Sequence, residues 1–201
     1  MNDPVFGEAY TTYQLERSGL RRWIRRQTYF RNMLRFVQGP TLDFGCGVGE
    51  FLALLPAGSV GYEINEATVR YCRSRGLTVQ LYDPDRDAYQ LSDRQPGQFQ
   101  TLVVAHVLEH LPDAHTVIRQ LLATADRLRL RRVLFVVPGE KGYQHDKTHR
   151  TFIDPAYFRQ HGLEQVGPYR IVHQRYFPVP AQWFSRFFTH NELVTVYERM
   201  P

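Results

Sequence analysis

One stretch with three alternating glycines constrains this chain more than any other: Leu42-Asp43-Phe44-Gly45-Cys46-Gly47-Val48-Gly49-Glu50-Phe51-Leu52. The apolar residues 41–44 predict a short buried strand, and the glycines predict a tight turn that opens a helix over residues 51–55. The first N–H groups of a helix have no partner within the helix, and glycine lets a ligand approach them closely. The stretch therefore indicates a ligand site, although a glycine-rich turn alone is also an ordinary turn.

Strands and helices alternate after residue 41, which is typical of a parallel, doubly wound sheet. The predicted strands are residues 41–44, 59–63, 77–82, 99–105, 132–137, 163–176 and 192–198. Further helices are predicted over residues 65–75 and 155–162, and another begins after Asp113, which would cap it. The last two strands lack a full crossover helix between them, which predicts an antiparallel hairpin. We therefore predict an α/β fold, with a doubly wound, mostly parallel, seven-stranded Rossmann-like sheet and a C-terminal antiparallel hairpin.

Polar residues follow the predicted strands at their carboxyl ends, where ligands bind in folds of this kind. These residues are Asp43, Glu63, Asp83 and His106, and we expect them to converge. Glu63 comes 18 residues after Gly45. This spacing is close to the one at which a carboxylate accepts both ribose hydroxyls in nucleotide-binding α/β folds.

The positive charge of the chain is concentrated near its start. The net charge is +5, and seven arginines follow one another without an intervening acid: Arg17, Arg21, Arg22, Arg25, Arg26, Arg31 and Arg35. Apolar residues at helical spacing predict a helix over residues 20–37, with arginines on its opposite side. One interpretation is a solvated helix face; the other is attraction to an anionic partner, such as a phosphate-bearing substrate, nucleic acid or lipid headgroups.

The motifs taken together resemble those of the class I S-adenosylmethionine-dependent methyltransferases. The resemblance covers about residues 40–199 and rests on LDFGCGVGEFL (42–52), the acids Glu63 and Asp83, and VVAHVLEHLPD (103–113). The last stretch is similar to that of methyltransferases that modify quinones, glycans or lipids. The resemblance implies a methyltransferase with S-adenosylmethionine as its cofactor.

The resemblance also implies which residues bind the cofactor: Asp43, Gly45, Cys46, Gly47, Gly49, Glu63, Ile64, Asp83, Ala105, His106 and Val107. The glycines would hold the methionine end with Asp43 near its ammonium group, and Glu63 would accept from the ribose. Asp83 would accept from the adenine amino group, although a simple turn acid is the alternative. His106 would lie beside the donated methyl group, whereas Glu109 and His110 are interpreted as a helix-start cap and packing.

A nicotinamide dehydrogenase is the main rival on fold grounds, and the sequence argues against it. The dinucleotide pattern needs its third glycine at position 50, which is Glu50 here. A carboxylate at the start of a helix would also repel a pyrophosphate.

The acceptor side is predicted beyond the fifth strand. Methyl transfer to a hydroxyl needs a positioned acceptor and removal of its proton, for which histidine suits neutral pH. We expect His149 to be the base or the acceptor-orienting group, with His145 or Asp146 as alternatives, although simple hydrogen bonds within the loop are the other interpretation. These residues offer too few ligands to predict a metal site.

The predicted acceptor is an oxygen of a small molecule, a sugar or a lipid-linked glycan. An RNA acceptor and a non-catalytic, cofactor-binding partner protein are the alternatives. Methyltransferases of amino groups typically carry Asn/Asp-Pro-Pro-aromatic after the fourth strand, and this chain has Ala-His-Val-Leu there. The aromatic segment 177–190 is interpreted as packing, a lid, a dimer contact or a membrane-surface element.

Length and composition predict one domain over residues 1–201. It would comprise an N-terminal helical segment (1–38), a cofactor-binding half (39–140) and an acceptor side with the terminal hairpin (141–201). No apolar run approaches the roughly 20 residues that span a membrane. With only two cysteines and no secretory pattern, we expect a reduced, cytoplasmic protein, either a monomer or a homodimer.

Overall fold

The computed structural model describes residues 26–201, and its centre is one mixed sheet. Its strands are β1 (Thr41–Phe44), β2 (Val60–Glu63), β3 (Val79–Leu81), β4 (Thr101–Ala105), β5 (Arg132–Pro138), β6 (Gln165–Val166), β7 (Tyr169–Phe177) and β8 (Glu192–Arg199). The order across the sheet is β3-β2-β1-β4-β5-β8-β7-β6. Strands β1 to β5 are parallel, and β8 runs antiparallel to both β5 and β7. The predicted α/β architecture with an antiparallel C-terminal hairpin is confirmed.

Helices flank the sheet within the described residues. They are α1 (Arg31–Leu34), α2 (Glu66–Ser74), α3 (Pro84–Asp87), α4 (Ala114–Arg127), α5 (Glu140–His145) and α6 (Pro155–Gln160). A π-helical turn (Arg26–Phe30) precedes α1, and 3₁₀ turns occupy Leu52–Leu54, Leu108–His110 and Gln182–Arg186. The predicted helix over residues 20–37 therefore lies partly outside the described residues. Between residues 26 and 201, no helix combines the length and apolarity needed to cross a membrane.

The sheet has eight strands rather than the predicted seven, because residues 163–176 do not form one strand. Gly167 adopts φ +55° and lets the chain reverse before Pro168. Val166 of β6 then pairs with Tyr169 of β7 in a tight antiparallel hairpin. The chain thus makes a full turn within the stretch that was predicted as one strand.

Three local predictions differ from the structure. The helix expected over 51–55 is only the 3₁₀ turn Leu52–Leu54, and Leu55 is already extended before Pro56. The loop predicted beyond the fifth strand, around His145, Asp146 and His149, begins with the helix α5. Asp113 occupies the N-cap position of α4 but its side chain makes no capping hydrogen bond. The Tyr157 hydroxyl instead accepts from the backbone N–H of His115 in the first turn, at 2.9 Å.

The core lies on both faces of β4, as its continuous apolar run predicts. Leu102 and Val104 face a cluster that includes Ile118 and Leu122 of α4. Val103, between them in sequence, faces a second cluster that includes Met33 of α1. Successive strand residues point to opposite faces, so β4 is held from both sides. The carboxyl end of β4, where the candidate site lies, is therefore a rigid platform.

Candidate active site

The glycine-rich turn between β1 and the 3₁₀ turn Leu52–Leu54 forms the first wall of the site. Gly45, Gly47 and Gly49 have φ of +76°, +53° and +75°, a region that side chains with a Cβ rarely adopt. A Cβ at Gly45 would also collide with the side chain of Val107. The turn therefore depends on glycine for its shape, and Val107 packs directly against it.

Glu63, at the end of β2, clamps this turn. Its Oε2 accepts from the N–H of Gly47 at 3.0 Å, and its Oε1 accepts from the N–H of Asn65 at 2.9 Å. Burial raises the pKa of Glu63, and these backbone donors oppose that rise. Each carboxylate oxygen has a further lone pair that could accept from a ligand hydroxyl.

Asp43, at the end of β1, is a buried acid with an unused oxygen. Its side chain is 3% exposed, and Oδ2 has no hydrogen-bond partner among residues 26–201. Burial, reinforced by the charge of Glu63, raises the pKa of Asp43 to about 7. Because an unpaired buried carboxylate is costly, its position suits a cationic ligand group.

The ends of β2 and β3 offer an apolar surface beside these acids. Ile64 is 51% exposed and Leu81 is 52% exposed, although both are large hydrophobic residues. Asp83 is exposed, and its Oδ1 caps α3 by accepting from the N–H groups of Asp85 and Arg86 at 3.0 and 3.3 Å. Oδ1 of Asp83 thus has the role of a turn acid, which was the alternative interpretation. The contact of Asp83 with adenine stays a prediction.

His106 follows Ala105, the last residue of β4, and is fixed between two carboxylates. Its Nδ1 lies 3.2 Å from Glu109 and its Nε2 lies 3.2 Å from Glu192. Burial opposes protonation, but the carboxylates of Glu192 and Glu109 outweigh it and raise the pKa of His106 to about 9. The two carboxylates therefore favour the protonated form of His106, whose backbone has a left-handed conformation with φ +57°.

A second cluster lies just beyond, where Glu109, His110 and His149 each direct one potential ligand atom within 4.8 Å of the others. Glu109 is 1% exposed, and its Oε2 has no hydrogen-bond partner in the described part of the chain. The carbonyl oxygen of Glu109 accepts from the N–H groups of Arg150 and Thr151, at 2.7 and 3.1 Å. These backbone bonds attach the loop that carries His149 to the turn after β4.

Hydrogen bonds determine which nitrogen of each imidazole carries the proton. Nδ1 of His149 lies 2.8 Å from the carbonyl oxygen of Tyr143, which can only accept, so Nδ1 carries the proton. The hydroxyl of Thr148 donates to Asp146 at 2.7 Å and must accept from Nδ1 of His110, at 3.1 Å. Each neutral ring therefore presents the lone pair of its Nε2.

The three predicted catalytic residues have different positions. His149 belongs to the cluster, whereas Asp146 orients Thr148 and so acts on His110 indirectly. His145 is exposed at the end of α5 and does not belong to this cluster of described residues. The sequence interpretation assigned Glu109 and His110 to a helix-start cap and packing, whereas the structure brings both residues together with His149. Their position directly after a buried strand was the signal available.

Taken together, the sheet and these residues form a candidate site for a nucleotide-type cofactor, with a cluster of one carboxylate and two imidazoles beside it. The family model described as a methyltransferase domain matches residues 13–166, which is more than half of the chain. The chain therefore belongs to this family, the class I S-adenosylmethionine-dependent methyltransferases, and S-adenosylmethionine is its cofactor.

Curated relatives and a solved structure agree with this assignment. The ubiquinone biosynthesis O-methyltransferase of Methylococcus capsulatus is 33% identical over 99 residues, covering 42% of this chain and 41% of that protein. The protein of the same name from Xanthomonas euvesicatoria is 29% identical, covering 69% of this chain and 68% of its own. The first match spans less than half of that relative, and the second about two thirds. A SAM-dependent methyltransferase from Archaeoglobus fulgidus has the same fold, with a TM-score of 0.65, 20% identity, and coverage of 90% of this chain and 93% of that one.

The residues present fit S-adenosylmethionine. The unused oxygen of buried Asp43 suits the ammonium group, and the glycine turn leaves room for the methionine end. The lone pairs of Glu63 suit the ribose hydroxyls, and exposed Ile64 and Leu81 offer apolar surface to the adenine ring. When bound, the cofactor supplies an electrophilic methyl group on its sulfonium sulfur.

Proposed function

We propose that this chain transfers the methyl group of S-adenosylmethionine to an oxygen atom of a small-molecule acceptor. The observation that carries the proposal is the convergence of Glu109, His110 and His149 beyond the end of β4. Transfer to a hydroxyl requires an aligned acceptor and a group that takes its proton. A buried carboxylate and two imidazole lone pairs next to the cofactor site can meet both requirements.

His149 is the proposed base. Its ring is held by the Tyr143 carbonyl so that Nε2 is free to accept a proton. The nearest oxygen of Asp146 lies 3.9 Å from that nitrogen, beyond hydrogen-bond distance, so it does not occupy the lone pair. Glu109 is close enough to stabilise the imidazolium that forms when the acceptor hydroxyl loses its proton.

The names of the curated relatives favour one acceptor class among those that the sequence leaves open. They are named ubiquinone biosynthesis O-methyltransferases, which supports oxygen as the accepting atom and a quinone precursor as the molecule that carries it. A phenolic hydroxyl on a quinone precursor is therefore the proposed acceptor, ahead of a sugar or a lipid-linked glycan. Phenols also lose a proton more readily than sugar hydroxyls, which suits an imidazole base.

A divalent-cation site is the alternative function of the same cluster, because an ion bound to Nε2 of His149 would occupy the lone pair that a base needs. One carboxylate and two imidazoles with oriented Nε2 atoms form a ligand set that suits Zn²⁺ and related ions, and Thr148 and Tyr143 orient the two rings from behind. Glu109, His110 and His149 would hold the ion. Such an ion supplies Lewis-acid polarisation of the acceptor oxygen.

A direct assay tests the proposal. The full chain is incubated with S-adenosylmethionine and separate panels of phenols, sugars and short RNAs, and both S-adenosylhomocysteine and methylated product are measured by mass spectrometry. We expect a gain of one methyl group on a phenolic oxygen. Methylation of RNA alone would overturn the acceptor class, and cofactor binding without product from any panel would favour the non-catalytic alternative.

A further inference from the structure

An exposed aromatic surface lies on the segment between β7 and β8. It consists of Trp183, Phe187 and Phe188, which are 63%, 66% and 37% exposed. The rings of Trp183 and Phe187 contact each other edge to face, with centroids 6.2 Å apart, so they form one patch. Contiguous exposed apolar patches on a soluble domain mark interaction sites.

The segment that carries this aromatic surface is held firmly by α5. Lys141 of α5 donates to the carbonyl oxygen of Phe187 at 2.9 Å. A Cβ at Gly142 would lie 2.5 Å from the carbonyl oxygen of Thr189, so the two segments are in close backbone contact. Ser185, between the exposed rings, is buried. The outward orientation of Trp183 and Phe187 is therefore a fixed feature of the fold.

The arginine-rich stretch meets the end of the segment that carries the aromatic surface. The hydroxyl of Tyr29 donates to the carbonyl oxygen of His190 at 2.6 Å, and its ring contacts that of Phe177. Tyr29 lies within the arginine-rich stretch, whose seven arginines follow one another from residue 17 to residue 35 without an acid. Arg31 and Arg35 are exposed in the structure. Two acids contact the segment itself, and each has a partner there: Glu140 pairs with Arg186 at 3.0 Å, and Asp154 accepts from Gln182 at 3.2 Å.

We infer that this face binds the surface of an anionic phospholipid bilayer. Trp183 and Phe187 enter the boundary between headgroups and acyl chains, while arginines face the lipid phosphates. Aromatic side chains favour that boundary, and each nearby cation adds attraction to anionic lipid. Nucleic acid is the alternative partner, because bases also stack on exposed aromatic rings, and the test below distinguishes the two. The inference does not depend on which acceptor is methylated.

Co-sedimentation of the full chain with vesicles tests the inference. We expect binding to vesicles of phosphatidylglycerol and phosphatidylcholine, weaker binding to phosphatidylcholine alone, and a loss of binding as salt rises. The double variant Trp183→Ser/Phe187→Ser should bind at least about tenfold more weakly. The double variant Arg31→Glu/Arg35→Glu should lose the preference for anionic lipid.

Matched controls use exposed residues outside this face. Val172→Ser removes an apolar side chain that is 48% exposed, and Arg70→Glu reverses a charge on α2, which packs on β3 at the opposite end of the sheet. Both should bind vesicles like the parent chain, and all variants should keep its cofactor affinity. Equal binding by the parent and the aromatic variant would overturn the inference. A second result would also overturn it: the parent chain does not bind vesicles, but it binds RNA or associates with itself, and these variants abolish that binding or association.

Discussion

Nδ1 of His149 lies 2.8 Å from the carbonyl oxygen of Tyr143, and this contact sets the chemistry of the candidate base. A carbonyl oxygen cannot donate, so the proton of the neutral ring is on Nδ1 and the lone pair is on Nε2. The backbone of α5 thus fixes the tautomer of a side chain in the loop that follows it.

His149→Ala is expected to abolish most turnover while leaving the cofactor affinity unchanged. Loss of a general base lowers kcat by about 10²- to 10⁴-fold. His145→Ala is the matched control, since that histidine is exposed and outside the described cluster. Steady-state kinetics and calorimetric titration with S-adenosylmethionine measure the two effects. If His145→Ala proves as damaging as His149→Ala, the assignment of the base is wrong.

Gly45→Ala is expected to destabilise the protein more than Gly76→Ala. Both glycines have φ +76°, so both substitutions bring similar backbone strain of about 1–2 kcal/mol. Only Gly45 has a neighbour that the new Cβ would strike, which adds about 1–3 kcal/mol. Urea unfolding measures the difference in the free energy of unfolding. Equal losses would show that Val107 moves aside without cost.

Asp43→Asn is expected to stabilise the cofactor-free protein at pH 8 and to weaken cofactor binding. The pKa of Asp43 is raised to about 7 from 3.8, so its contribution to stability is present below pH 3.8 and is lost as pH rises through 7. Ionisation at pH 8 costs up to about 4 kcal/mol, which the amide avoids. Urea unfolding at pH 5 and pH 8 should show the variant gaining more at pH 8. A gain that is the same at both values would contradict the raised pKa.

Glu63→Gln is expected to weaken binding of S-adenosylmethionine by roughly ten- to a hundredfold, because a charged acceptor is replaced by a neutral one with a single acceptor oxygen. Asp83→Asn is the comparison at the next strand end, where the side chain is exposed and Oδ1 already caps α3. Its effect on affinity should be smaller. Calorimetric titration checks both, and unchanged affinity in Glu63→Gln would exclude the ribose contact.

Zn²⁺ or Mn²⁺ is expected to raise the Tm of the parent chain, because an ion that binds only the folded state stabilises it. Glu109→Gln should remove the shift, since the carboxylate oxygen without a partner in the described chain is the charged ligand of the set. Asp146→Asn, outside the ligand set, should retain most of it. An unchanged Tm in the parent chain would exclude the metal site and leave acid–base chemistry as the function of the cluster.

The sequence predicts those parts of the site whose positions follow from the strand that directly precedes them in the chain. Asp43 and Glu63 end apolar strands of a parallel sheet, and parallel strands bring their carboxyl ends to the same edge. Glu109 and His110 were not recognised because, within their own segment, they resemble a helix start. Their role emerges only when the N–H groups of Arg150 and Thr151 bond to Glu109 and bring His149 alongside.

Two further features depend on contacts between distant segments. Glu192 begins β8 without any motif around it, yet pairing of β8 with β5 places it against His106. The helix α5 includes Gly142, a residue that weakens helices and favours a loop interpretation. That glycine is required because the carbonyl oxygen of Thr189 approaches it closely.

The most direct test of the central claim is product analysis by mass spectrometry after reaction of the purified chain with S-adenosylmethionine and phenolic quinone precursors. The account predicts one methyl group gained on a phenolic oxygen, one S-adenosylhomocysteine formed per product, and loss of both in His149→Ala. Absence of methylated product from every hydroxyl acceptor, in a chain that binds the cofactor, would contradict it.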